Sequence, residues 1–180
     1  MSKAVLISIR PKWCDLIARG KKTIEVRKTR PKLETPFKCY IYQTLPKSGD
    51  WNDRDGHVIG EFVCDEVIID ERRENALLFE QDGCVPFAQQ KKYAQKKTLY
   101  GWHISDLVIY DEPMKLSDFY RWYDGLTDIR PCENGKPCEH EIYDYGEDCR
   151  ACAIDFDGTD CPFLRVTRPP QSWCYVEALT

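Results

Sequence analysis

The spacing of apolar and polar residues takes three successive patterns within the first thirty positions. Residues 5–9 (VLISI) form a nearly unbroken apolar run, the pattern of a strand buried on both faces. Pro11 then opens a segment in which Trp13, Leu16 and Ile17 recur at spacings of three and four before Gly20 ends it, which predicts a short helix. From residue 21 to 28 the chain alternates, with Ile24 and Val26 on one face and Thr23, Glu25 and Arg27 on the other. A second strand therefore begins at Lys22.

Farther along, the β-branched and aromatic run FKCYIYQT (37–44) predicts a strand, set off by the Pro-bearing basic loop KTRPKLETP. Residues 51–56 read as a polar turn. Residues 57–70 read as one long β-rich stretch, with Gly60 marking a bend or bulge that lets a sheet curl. Pro86 opens an expected helix through Lys97 carrying Lys91, Lys92, Lys96 and Lys97, followed by a strand over 102–110. A short helix is expected over 116–123 with Ser117 as its cap, and a closing strand over 171–178 after Pro169 and Pro170. Strands outnumber helices. The expected fold is α+β, a small mixed β-barrel with peripheral helices, formed by one domain of 180 residues that carries an insert at 130–164.

Charge changes this picture in one respect. The formal net charge is −4, yet residues 1–38 hold 11 Lys or Arg against 3 Asp or Glu, a local +8, so the remainder carries −12. A cationic third in an acidic chain is either a solvated face or the footprint of a phosphate-bearing partner such as nucleic acid. The longest apolar runs fall far short of the roughly 20 residues a membrane span needs. Arg10 and Lys12 interrupt the N-terminal apolar stretch before a secretory core forms, so a cytoplasmic location without membrane association is expected.

The ten cysteines divide into two groups. Cys14, Cys39, Cys64, Cys84 and Cys174 lie singly among apolar residues and read as small buried hydrophobes. Cys132, Cys138, Cys149, Cys152 and Cys161 cluster with His140, in a stretch where, from residue 131 to 160, nine acidic residues meet two basic ones. The spacing C-x5-C-x-H followed by C-x2-C-x8-C suits zinc, and a segment this poor in apolar residues gains folding free energy from a metal. Four thiolates, Cys138, Cys149, Cys152 and Cys161, are the first choice of ligands, with Cys132 and then His140 as alternates. A closed four-thiolate site leaves no position for water, so its role is structural. An iron–sulfur cluster or free thiols remain open from spacing alone.

The segment GKKTIEVRKTRP resembles the signature of the ASCH family, G-x-K-x-x-E-x-R, matched by Gly20, Lys22, Glu25 and Arg27. The strand and short helix before that glycine, the YGWHISDLVIYD stretch from Tyr100 and the last strand in RPPQSWCYVE resemble small ASCH proteins as well, while the cysteine-rich insert lies outside the likeness. The resemblance implies a PUA-like barrel with a cleft for RNA or a modified base.

Three functions follow as expectations. The first is an RNA- or nucleotide-binding module. Lys22 and Arg27 would contact phosphate, Glu25 would accept from a base amino group, Lys28, Arg30 and Lys32 would add phosphate contacts from the adjoining loop, and Trp102, ahead of Trp13, Trp51 and Tyr100, would stack on a base. His103 reads as a hydrogen-bonded strand residue. The bland alternative for Lys22, Glu25 and Arg27 is a structural ion pair at the barrel mouth. The second function is an amidohydrolase, because one small ASCH-like group cleaves the acetyl amide of acetylcytidine with a lysine, a threonine and a glutamate. Lys22 matches that lysine and, with Glu25, would carry the chemistry, but Glu25 stands where the threonine is expected. The third is a protein-interaction module whose partner docks on the acidic insert.

Overall fold

The computed structural model describes residues 2–45, 56–122 and 165–179. Trp51 and all six candidate zinc ligands, Cys132, Cys138, His140, Cys149, Cys152 and Cys161, lie outside the described residues. Among the described residues, no helix is long and apolar enough to cross a membrane.

β1 (Lys3–Ile9) is buried along almost its whole length because it lies inside a sheet, parallel to β3 (Phe37–Gln43) and antiparallel to β8 (Trp173–Glu177). That position explains its unbroken apolar run. The remaining members are β4 (His57–Cys64) and β7 (Ser105–Met114), giving the order β7-β4-β3-β1-β8. A smaller sheet has the order β2-β6-β5, built from β2 (Ile24–Arg27), β6 (Leu99–His103) and β5 (Val67–Asp70).

The long β-rich stretch 57–70 is thus two strands in two sheets. The same holds for 99–114, where β6 leaves the small sheet and β7 enters the large one. Corners of this kind are how packed sheets exchange strands. The crossing is tied by His103 N–H to the Glu66 carbonyl (2.9 Å), Ile104 N–H to the Thr23 carbonyl (2.8 Å) and Ser105 Oγ to the Val63 carbonyl (2.9 Å). Gly60 does sit at a bulge, where a side chain would collide with the Val108 carbonyl of β7, but the break between sheets comes later, at Asp65 and Glu66.

Strand pairing among the described residues does not close a barrel. β2 and β8 are edges of different sheets, linked by side chains such as Trp173 Nε1 donating to Thr29 Oγ1 (3.0 Å). Alternation assigns the core. Val5, Ile7, Ile9, Cys39, Ile41 and Phe62 face inward with Trp102. Ala4, Leu6, Tyr40, Val58 and Val176 pack on the other face beneath Phe119 and Val166.

The helices differ from expectation in three places. α1 (Pro11–Ala18) forms as read. α2 (Ala76–Gln81) had no sequence signal, being only six residues long, and it buries Phe79 against the small sheet. α3 (Phe87–Ala94) is shorter than the expected 86–97, because Gln95 and Lys96 take positive φ values of 50° and 68°. At 116–123 the chain makes only a 3-10 turn, Leu116–Asp118, before Tyr120 and Arg121 form isolated bridges to Arg165 and Val176.

Candidate nucleic-acid interface

The end of α1 places the first site residue. Gly20, at φ +67°, donates its N–H to the Ile17 carbonyl (2.8 Å) while Lys21 N–H reaches the Leu16 carbonyl (2.9 Å). These are the two bonds of a Schellman cap, whose left-handed position suits glycine. The chain reverses there and delivers Lys22 to the start of β2, where its side chain turns inward.

Lys22 is 2% exposed, and its ammonium is surrounded by oxygen. Nζ donates to the Gly83 carbonyl (2.6 Å) and the Ile24 carbonyl (2.7 Å) and lies 3.2 Å from Glu25 Oε2. Three N–H groups therefore meet three acceptors. The Trp13 ring centroid lies 5.2 Å away, adding a cation–π contact.

Glu25, itself 5% exposed, has its other oxygen 2.9 Å from Arg27 Nε, although that N–H is not aligned as a hydrogen bond. Arg27 Nη2 donates to the Ser8 carbonyl (2.6 Å), and Nη1 lies 3.4 Å from Ser172 Oγ. The carboxylate thus bridges two buried cations. Its charge is felt at Cys14, whose thiol is pushed up to about 12, first by burial and then by Glu25.

These three side chains line the floor of a cleft of about 370 Å³. One wall is Ile9, Arg10 and Trp13, another is Val85, Gln89 and Tyr93, and a third is Pro169, Pro170 and Gln171. Arg10 is exposed at the rim, and Lys28 places its ammonium 4.7 Å from the Tyr93 ring centroid. Burial pushes the Tyr93 phenol above its ordinary value, only partly offset by Arg27, so at neutral pH it is an un-ionised hydroxyl.

The residues selected from sequence therefore divide. Lys22, Glu25, Arg27 and Trp13 come together, with Lys28 beside the Tyr93 wall. Arg30 and Lys32 are exposed and line a separate depression with Pro31, Leu33, Glu34 and Val67. Their loop is fastened to β8 through Lys32 N–H donating to the Tyr175 hydroxyl (2.7 Å).

Trp102 is wholly buried, edge-on to Phe37 and Trp173 at centroid distances of 6.0 and 6.1 Å, so no face of it is open to stack on a base. It belongs to the core because the inward face of β6 is covered by the large sheet. Tyr100 is partly buried against the same core. His103 pairs with Asp65 (2.6 Å) at the corner between sheets and does not line the cleft. Sequence reasoning passed over Gln89, Tyr93, Ser8 and Gln171. Helical spacing puts Gln89 and Tyr93 on one face, but nothing local says what that face looks into.

The family model of the ASCH domain matches residues 7–113. The fold is similar to the crystal structure of ASCH from Zymomonas mobilis, with a TM-score of 0.51 and 21% identity, over 63% of this chain and 73% of that one. Two single-substitution variants of that Zymomonas mobilis protein give TM-scores of 0.48 and 0.47 at 22% and 23% identity, covering 64% and 63% of this chain and 77% and 74% of theirs. No curated protein matches the chain.

Proposed function

The chain belongs to the ASCH domain family, whose PUA-like fold is of an RNA-binding type, and from that premise we propose that it binds RNA or a modified nucleotide in the cleft above Lys22, Glu25 and Arg27. The observation that carries this reading is the composition of the cleft. A floor of two buried cations bridged by one carboxylate sits between two partly exposed aromatic rings, Trp13 and Tyr93, with the cations Arg10 and Lys28 beside them. Aromatic walls hold bases by stacking, and cations at an open rim hold phosphates. Stacking falls to Trp13 and Tyr93, since Trp102 is core.

Lys22 and Arg27 act here mainly by holding the floor and fixing Glu25, and the exposed Arg10, Arg30 and Lys32, with the half-buried Lys28, supply the phosphate attraction. The amidohydrolase reading is the weaker one. A nucleophilic lysine must offer a lone pair to substrate, whereas the Lys22 Nζ is surrounded by three oxygens placed to accept hydrogen bonds from an ammonium.

Our reading of the insert at 130–164 is a structural zinc centre held by Cys138, Cys149, Cys152 and Cys161, with Cys132 and His140 as alternates. It rests on the cysteine spacing and on the scarcity of apolar residues there.

Titration of a short labelled RNA at several salt concentrations tests the main reading. Affinity should fall with salt at a logarithmic slope of roughly −0.7 per phosphate contact on a single strand. Arg10→Ala should reduce that slope by about one contact. Binding indifferent to salt and to Arg10 would remove the proposed interface.

A further inference from the structure

We infer that what enters the cleft is the hydrogen-bonding edge of a single nucleobase, read by the side-chain amides of Gln89 and Gln171, with the ligand's phosphate left outside on the rim. This rests on the nucleic-acid reading above and narrows it, because it makes the group inside the cleft neutral.

Both cations of the floor already have protein partners. Lys22 already has three oxygen acceptors, and Arg27 is engaged by Ser8, Ser172 and Glu25. A phosphate reaching them would have to displace those partners and would meet the Glu25 carboxylate at close range, which costs more than an exposed ion pair returns.

The amides are placed differently. Gln89 on α3 and Gln171 ahead of β8 line different walls of the cleft, both are exposed, and neither side-chain amide has a hydrogen-bond partner among the described residues. A primary amide both donates and accepts in one plane, which matches the donor and acceptor edge of a base.

Gln171 is also held in place. Ser8 donates Oγ to the Pro170 carbonyl (2.7 Å) and its N–H to the Ser172 carbonyl (2.9 Å), so the residues on both sides of Gln171 are fixed by one buried serine. The Ser8 carbonyl in turn accepts from Arg27, tying this wall to the floor. A recognition group backed by such supports loses little entropy when it binds. The cleft volume of about 370 Å³ lies near the lower end of the range for small-ligand pockets, which suits one nucleoside and excludes a duplex.

The test is calorimetric titration of the full chain with the four ribonucleosides, their 5′-monophosphates and inorganic phosphate, at two salt concentrations. At least one nucleoside should bind with an affinity indifferent to salt, and inorganic phosphate should not compete with it. Gln89→Ala and Gln171→Ala should each weaken that nucleoside about tenfold, the size of one or two lost hydrogen bonds. Both positions are exposed, so unchanged melting should accompany the loss. Arg10→Ala should remove only the salt-sensitive gain of the monophosphate. Nucleoside binding that ignores both glutamine variants, or phosphate that binds while nucleosides do not, would overturn the inference and leave nucleic-acid binding standing. RNA binding lost in Arg10→Ala but untouched by either glutamine would do the same. Failure of RNA, nucleotides and nucleosides alike to bind would defeat both.

Discussion

Replacing Glu25 by alanine should be among the most destabilising single changes near the cleft. The carboxylate is 5% exposed and lies between Lys22 Nζ at 3.2 Å and Arg27 Nε at 2.9 Å. Its removal leaves two buried cations facing a space that no anion fills. Lys22 keeps the Ile24 and Gly83 carbonyls, and Arg27 keeps the Ser8 carbonyl, so the structure has a way to retain both charges but not to neutralise them. Breaking a buried pair by deleting one partner costs about 3–5 kcal/mol. For a chain of this size each kcal/mol lowers the melting temperature by about 2–4 °C, which gives a fall of roughly 6–20 °C. Urea titration gives the free energy, and scanning calorimetry gives the melting temperature. A loss below about 1 kcal/mol, the value for an exposed pair, would refute the claim that these charges are desolvated and interdependent.

Three further outcomes are expected. Burial works to raise the Glu61 carboxyl, but hydrogen bonds from Tyr110 (2.7 Å) and Lys38 (3.0 Å) outweigh it and hold the group below its ordinary value of 4.5. The same hydrogen bond, donated by Lys38 to Glu61, raises Lys38 above 10.5 against the effect of burial. Stability from Glu61 is therefore full above about 4.5 and fades as pH falls through its lowered value, while that from Lys38 is full below 10.5 and fades as pH rises through its raised value; Glu61→Gln should flatten the acid limb in melting curves taken across pH. Elemental analysis of protein purified without added metal should give about one zinc per chain, with the metal lost in Cys149→Ser; iron with visible charge-transfer absorption, or no metal, would contradict this. Hydrolysis of acetylcytidine should be absent or very weak, and steady product formation that vanishes in a folded Lys22→Ala variant would reinstate the enzyme reading.

Local signals carried the first half of the site. Pro11, the apolar spacing of α1 and the glycine that caps it sit within ten residues of one another, and the alternation of β2 follows at once, so their order and the grouping of Lys22, Glu25 and Arg27 were legible. The exchange of strands between sheets was not, because an alternating run states which residues share a face and not which sheet it pairs with. Trp102 shows the same limit. Period two places it opposite its neighbours, but only the packing of Phe37 and Trp173 decides that its face is core rather than cleft. Arg30 and Lys32 adjoin the motif in sequence yet serve a different depression, since a Pro-bearing loop has no period from which a direction can be read. The third wall escaped notice because Gln171 reaches the cleft only through the long-range clasp of Ser8 and Arg27.

The central claim, that the ligand sits over Lys22, Glu25 and Arg27, is tested most directly by mapping backbone amide shifts in ¹⁵N-labelled protein as a short single-stranded RNA is added. The account predicts saturable shifts at Ile9, Arg10 and Trp13, at Gln89 and Tyr93, and at Gln171, together with smaller ones along β2. Shifts confined to the Arg30 and Lys32 depression or to β7, with the cleft residues unmoved at saturation, would contradict it.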